Sequence, residues 1–170
     1  MQVEFEMSMI GELTHLLWLQ IHQQDSGIFL SQSKYAKNLV KKFGLEFASS
    51  IRTPMSPNVK LIVDLLGKNV DSSLYRSMIG SLLYLTASRP DISYSVGVCT
   101  RYQANPKESH MTVLKRIIKY VKTTTEFGLW YSKDTSDVLV GYSDADWAGN
   151  ADDRKSTSRG CFYVGNNLVW

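Results

Sequence analysis

Cysteine is scarce in these 170 residues: there are two, Cys99 and Cys161. They are far apart and lack metal-ligand spacing, so neither a disulfide framework nor a zinc site is expected, and reduced, buried thiols in an intracellular chain are the simplest reading. Long apolar runs are missing as well. No stretch is long enough to span a bilayer, and Met1 to Ile10 lacks the basic opening and uninterrupted apolar core of a secretory signal, so a soluble chain is expected. There is no glycine-rich phosphate loop. The three histidines, His15, His22 and His110, have neither the Ser and Asp company of a triad nor metal-ligand spacing, which leaves them without a catalytic role. Acidic residues stop at Asp153, and none occurs from there to Trp170.

What is present suits one folded domain or pieces of two. Hydrophobic residues make up 44% of the chain, an ordinary share for a globular protein. Lys and Arg number 19 against 16 Asp and Glu, a net charge of +3, and the isoelectric point is near 8.8. That permits a polyanionic partner without demanding one.

Periodicity divides the chain. Leu16 to His22 and Gly27 to Ser31 alternate like strands around the turn formers Asp25, Ser26 and Gly27, which predicts a β-hairpin. Tyr35, Leu39 and Phe43 then recur at helical spacing before Gly44, with Lys34, Lys37 and Lys41 on another face. From Ala48 to about Asn69 the chain is irregular, and Thr53-Pro54 and Ser56-Pro57 force extended backbone, as in a linker or crossover. Three helices follow. Leu74, Met78, Leu82 and Leu85 mark the first, capped by Asp71 or Ser72. Ile92, Val96, Cys99 and Tyr102 mark the second, after Pro90. Met111, Leu114, Ile118 and Val121 mark the third, whose Lys115, Lys119 and Lys122 form a displaced basic stripe. After Gly128 come short strands: Leu129 to Ser132, Val138 to Ser143, Cys161 to Val164, and Leu168 to Trp170.

Two features carry possible chemistry. Where the strand from Val138 ends, alternation puts Asp144 on one face with Val138, Val140 and Tyr142, followed by Asp146, Asp152 and Asp153. A calcium loop is excluded, because Ala148 and Lys155 stand where ligands belong. A magnesium ligand at Asp144 and a merely solvated acidic loop both remain open. Likewise, the lysines at 34, 37 and 41 and at 115, 119 and 122 suit phosphate contacts or ordinary solvated helix faces. Trp18, Tyr84, Tyr94, Trp130 and Trp147 could stack on bases, although their place in apolar stripes puts most of them in or beside the core.

Taken in order, the motifs resemble the Pol polyprotein of copia-type long-terminal-repeat retrotransposons over essentially the whole chain. Phe5 to Leu13, Leu19-Gln20-Ile21, Gly27 to Gln32 and Lys34-Tyr35-Ala36 are similar to the segment after the reverse transcriptase active site, and Thr53-Pro54-Met55 to the stretch leaving the palm. Tyr75 to Leu85, Arg89-Pro90-Asp91-Ile92 and Arg116 to Lys122 resemble the helical thumb and connection. Tyr142 to Gly149 and Arg154 to Ser158 resemble the opening of RNase H. The resemblance implies an α+β fold with four parts: residues 1–47, the end of the palm and first thumb helix; 48–70, a linker; 71–127, the helical thumb and connection; and 128–170, an incomplete, antiparallel RNase H-like region.

It also implies a function. The parent protein grips an RNA·DNA hybrid, extends a primer, and cuts RNA with two Mg2+ ions held between carboxylates. Asp144 matches the first RNase H acid. The later acids would fall beyond Trp170 and the polymerase Tyr-x-Asp-Asp motif before Met1, so the expectation is a catalytically inactive fragment that binds no Mg2+ productively. Lys34, Lys37, Lys41, Lys115, Lys119 and Lys122 are the candidate hybrid contacts. The rest of Pol is a possible partner, no membrane is involved, and the family places the chain in the cytoplasm. Some positions depart from the family. Trp18 replaces a usual Gly, where its ring is expected to crowd close backbone packing; Arg159 replaces Gly or an aromatic; and Leu168-Val169-Trp170 lacks a Ser before the Trp. These departures fit a decayed or truncated copy. An inert relic, or a domesticated interaction protein pairing through the edge near Leu168 to Trp170, are the alternatives.

Overall fold

The opening strand is split. β1 (His15–Leu16) and β2 (Leu19–Gln24) are antiparallel neighbours joined through Leu17 and Trp18, whose φ angles are 47° and 65°. A single strand over 16–22 would need extended backbone at both, and the left-handed conformation reverses the chain instead. This also corrects the reading of Trp18. Its ring is exposed rather than crowding, and glycine would suit the position because it adopts this φ without a Cβ penalty. The computed structural model describes residues 11–56, 60–150 and 152–169. Phe5 to Ile10, Pro57 and Trp170 lie outside them.

β3 (Gly27–Ser31) completes the expected hairpin with β2, from Gln20 opposite Ser31 to Gln24 opposite Gly27. One residue later α1 (Ser33–Lys42) begins. Its first turn is capped from β2, since Gln20 Oε1 accepts from the Lys34 amide at 2.8 Å and the Ser33 hydroxyl at 2.7 Å. At the other end, Gly44 with φ 65° donates to Lys41 O and the Leu45 amide donates to Val40 O, a Schellman closure.

α2 (Ser72–Leu85), α3 (Pro90–Thr100) and α4 (Glu108–Thr123) follow. Asp71 caps α2 by accepting from the amides of Ser73 and Leu74, and Pro90 occupies the first turn of α3. α4 packs against α1, α2 and α3, and its Leu114, Ile117, Ile118 and Val121 are fully buried. One stripe is corrected. Leu74 is exposed, and Tyr75 and Ile79 take the inner face of α2 because the Tyr75 hydroxyl finds the Cys99 carbonyl at 2.9 Å inside the core.

Residues 48–56 and 60–70 run over the helices. Ala48 O accepts from Lys122 Nζ, Ile51 O from the Thr123 hydroxyl, and Thr53 Oγ1 from Arg116. Further along, Leu61 O accepts from the Tyr102 hydroxyl, and Ile62 O bonds His110 at 2.7 Å. His110 is fully buried and stacks on Tyr102. Its Nδ1 accepts from the Lys107 amide, so Nε2 carries the proton donated to Ile62 O.

A buried charge locks the helices together. Arg89, only 2% exposed, gives two hydrogen bonds to Asp91 and two to Thr124, one of them to its carbonyl. The Tyr120 hydroxyl also donates to Asp91. Burial raises the Asp91 carboxyl, but the bonds from Arg89 and Tyr120 outweigh it and hold the group below the usual carboxylate range.

β4 (Gly128–Ser132) does not join the strands that follow it. It pairs antiparallel with β3, Gly27 opposite Ser132 and Ser31 opposite Gly128, completing a sheet of order β1-β2-β3-β4. β5 (Leu139–Asp146), β6 (Thr157–Val164) and β7 (Asn167–Leu168) form a second antiparallel sheet. Four helices and two antiparallel sheets among the described residues make the fold α+β. The sheets are stitched by Asn167, whose side-chain amide accepts from Ser132 N–H and donates to Ser132 O, imitating a ladder pair.

Candidate functional site: the acidic hairpin and the basic helices

Asp144 does not end a strand. β5 runs on to Asp146 and β6 begins at Thr157, so Asp144 lies within the hairpin, directly opposite Arg159. Its side chain is 75% exposed, and its Oδ2 is 4.0 Å from Arg159 Nη1. The Arg159 guanidinium in turn sits 3.5 Å from the ring centroid of Tyr94 on α3. Alternation places Val140, Tyr142 and Asp144 on one face as expected, but that face is not a packed core: Tyr142 is exposed.

The other acids serve the turn between β5 and β6. Asp153 bonds the Lys155 amide and its ammonium, which hold the exposed Asp153 carboxyl below its usual range. Asp152 reaches the Tyr102 hydroxyl at 3.4 Å. Among the described residues no group of three or more His, Cys, Asp or Glu side chains could hold a metal ion. A pair of Mg2+ ions needs several carboxylates around it, and Asp144 offers one, facing a cation. The donor set does not fit that group.

The lysines divide. Lys34, Lys37 and Lys41 are exposed on α1, as is Lys115 on α4, whereas Lys119 and Lys122 are half-buried. Lys37 pairs with Glu126 at 2.6 Å, and its hydrogen bond holds that carboxyl below the usual range. Lys34 lies 3.4 Å from His15, and Lys122 donates to Ala48 O. The side-chain ammonium groups of Lys41, Lys115 and Lys119 make no hydrogen bond or ion pair with described residues.

The aromatic residues expected near the core are outside it: Trp18, Tyr84, Tyr94, Trp130 and Trp147 are all exposed, Trp147 by 89%. They sit on strand edges, turns and outer helix faces, where apolar stripes by themselves do not report what covers them. Tyr84 still has a role, because its hydroxyl holds Leu17 O at the β1–β2 turn. Of the two thiols, Cys99 is buried as expected, but Cys161 is only half-buried, on the loosely covered second sheet.

Sequence reasoning missed a cleft. Tyr84, Tyr94 and Arg101 of the helical layer face Tyr131, Arg159 and Leu168 across a cavity of about 890 Å3. The signal was present along α3, where Ser93, Gly97 and the C-capping Arg101 recur every four residues away from the buried Ile92, Val96 and Cys99 stripe. No described helix is long and apolar enough to cross a membrane.

Comparison with known proteins gives a consistent pattern. The chain is 37% identical over 158 residues to a retrovirus-related Pol polyprotein from transposon RE1 of Arabidopsis thaliana, covering 93% of this chain and 11% of that protein. It is 35% identical over 165 residues to an uncharacterized mitochondrial protein of the same plant, covering 97% and 68% respectively. A retrovirus-related Pol polyprotein from transposon TNT 1-94 of Nicotiana tabacum is 31% identical over 176 aligned positions, covering 98% and 13%. The chain spans only about a tenth of these Pol polyproteins, the matched share being 11% and 13%. No family model matches, and no solved structure matches.

Proposed function

Because the chain belongs to the copia-type retrotransposon Pol family, we propose that it is a Pol segment linking the end of the reverse transcriptase to the start of RNase H, and that its own role is to grip an RNA·DNA hybrid by its phosphates. The observation that carries this reading is the state of the lysines. Lys41 on α1 and Lys115 and Lys119 on α4 are spoken for by no described group, and the two helices pack directly on each other. A phosphate backbone attracts such ammonium groups without reading sequence, and releases condensed counterions when they bind. Lys34, Lys37 and Lys122 would have to leave their present partners first.

The segment carries out neither chemistry by itself. No Tyr-x-Asp-Asp stands in its 170 residues, and among the described residues Asp144 belongs to no group of three or more metal-ligating side chains and faces Arg159. The interaction-protein alternative would pair through β7, the last strand of the second sheet.

Titrating the purified chain with a labelled RNA·DNA hybrid at two salt concentrations tests the grip. Three phosphate contacts predict a fall of log affinity with log salt of slope roughly three, reduced to about one in Lys115→Glu/Lys119→Glu. Affinity that is absent, or indifferent to salt, sinks the proposal and leaves the inert relic.

A further inference from the structure

We propose that Asp144, Arg159 and Tyr94 form a docking clamp, so that Asp144 serves as the counter-ion holding the second sheet on α3 rather than as a metal ligand. Asp144 and Arg159 face each other across β5 and β6. The guanidinium continues past the sheet and lies over Tyr94, 3.5 Å from its ring centroid. Both walls of the 890 Å3 cleft thus meet at this one stack: Arg159, Gly160 and Cys161 belong to the sheet wall, Tyr94 and Gly97 to the helix wall. Where the layers stand apart, a contact bridging them bears on their relative position. Tyr102 and Asp152 make a second tie at 3.4 Å.

The chemistry requires arginine. Its planar guanidinium can stack on an aromatic face while presenting an N–H edge to a carboxylate, which a lysine ammonium does not do as well. Small or aromatic residues, which the resemblance leads one to expect at position 159, would leave Asp144 without a cation. With Arg159 in place, an approaching divalent ion meets a like charge 4.0 Å from Asp144 Oδ2. The departure at 159 and the poor fit of a metal at 144 are therefore one fact.

Native-state hydrogen exchange of the full chain, followed by NMR, reads the clamp without nucleic acid, so it stands or falls separately from hybrid binding. Arg159→Gly and Tyr94→Leu should raise exchange of β6 amides about two- to fivefold, with Arg159→Lys in between, while α4 amides keep the native rate. A Mn2+ titration of the native chain should leave the Asp144 amide signal unbroadened. The clamp is overturned by unchanged β6 exchange in Arg159→Gly, by an equal rise in β6 and α4, or by Mn2+ broadening centred on Asp144 in the native chain.

Discussion

Leu114 and Leu139 are the same residue type in two regions with opposite surroundings. Leu114 is completely buried where α4 meets the other helices, whereas Leu139 at the start of β5 is 66% exposed. The same contrast holds for the charge pairs: Arg89 is sealed in and bonds Asp91 at 2.8 Å, while Arg159 is open to water and stands 4.0 Å from Asp144. Local chemistry is alike in each pair. What differs is how much of the chain covers it, and coverage sets what an interaction contributes.

The largest expected difference is between the leucines. Leu114→Ala should cost about 3 kcal/mol in urea unfolding, through lost transfer free energy and the cavity left behind. Leu139→Ala should cost less than about 0.5 kcal/mol. Equal costs would break the comparison, because they would mean that the second sheet is packed as tightly as the helices.

Coverage is also where reading the sequence succeeded and failed. The face of α4 was legible because Met111, Leu114, Ile118 and Val121 repeat at 3.6 residues and all turn inward. Alternation in β5 correctly put Asp144 with Val140 and Tyr142, yet said nothing of what lies over them, since period 2 names two faces and not their neighbours. Partners distant in sequence were invisible. The cap on α1 comes from Gln20, β4 pairs with β3 about a hundred positions earlier, and Asn167 stitches the sheets through a side chain. Nor does propensity foresee Trp18 at a φ of 65°, although its place in the motif marked the site. Of the candidate site, the lysines were placed on the correct helices, but their partners Glu126 and Ala48 arise from the fold alone.

The arginines sharpen the contrast further. Arg89→Met should cost about 2 kcal/mol, since Asp91 and Thr124 each lose two hydrogen bonds from the buried guanidinium, and salt should change that little. Arg159→Met should cost no more than about 0.5 kcal/mol, most of it erased by added salt. Acid separates them as well. The folded Asp91 pKa lies below its unfolded value, so the unfolded chain binds more protons between the two. Its contribution is complete above roughly pH 4 and is lost as pH falls through the folded pKa. Urea midpoints measured from pH 6 down to 3 should therefore drop, and Asp91→Asn should flatten that part of the curve.

The smallest effect concerns the thiols. Burial pushes the Cys99 thiol from 9.0 up to about 12, with the Tyr75 hydrogen bond opposing it, while Cys161 sits half-covered on β6. A disulfide-exchange reagent at neutral pH should accordingly label one thiol in the folded chain and two in urea, since thiolate fraction and access both govern attack. The linkage has the opposite sign to that of Asp91. Above the unfolded thiol's pKa the unfolded chain has lost a proton that the folded chain keeps, so stability falls as pH rises, fully present below 9.0 and lost progressively toward about 12. Cys99→Ala should remove that alkaline slope between pH 8 and 9, and Cys161→Ala should leave it in place. A slope that follows Cys161 instead would mean that the second sheet, not the helical core, holds the better protected thiol, and would reverse the ranking of the two regions.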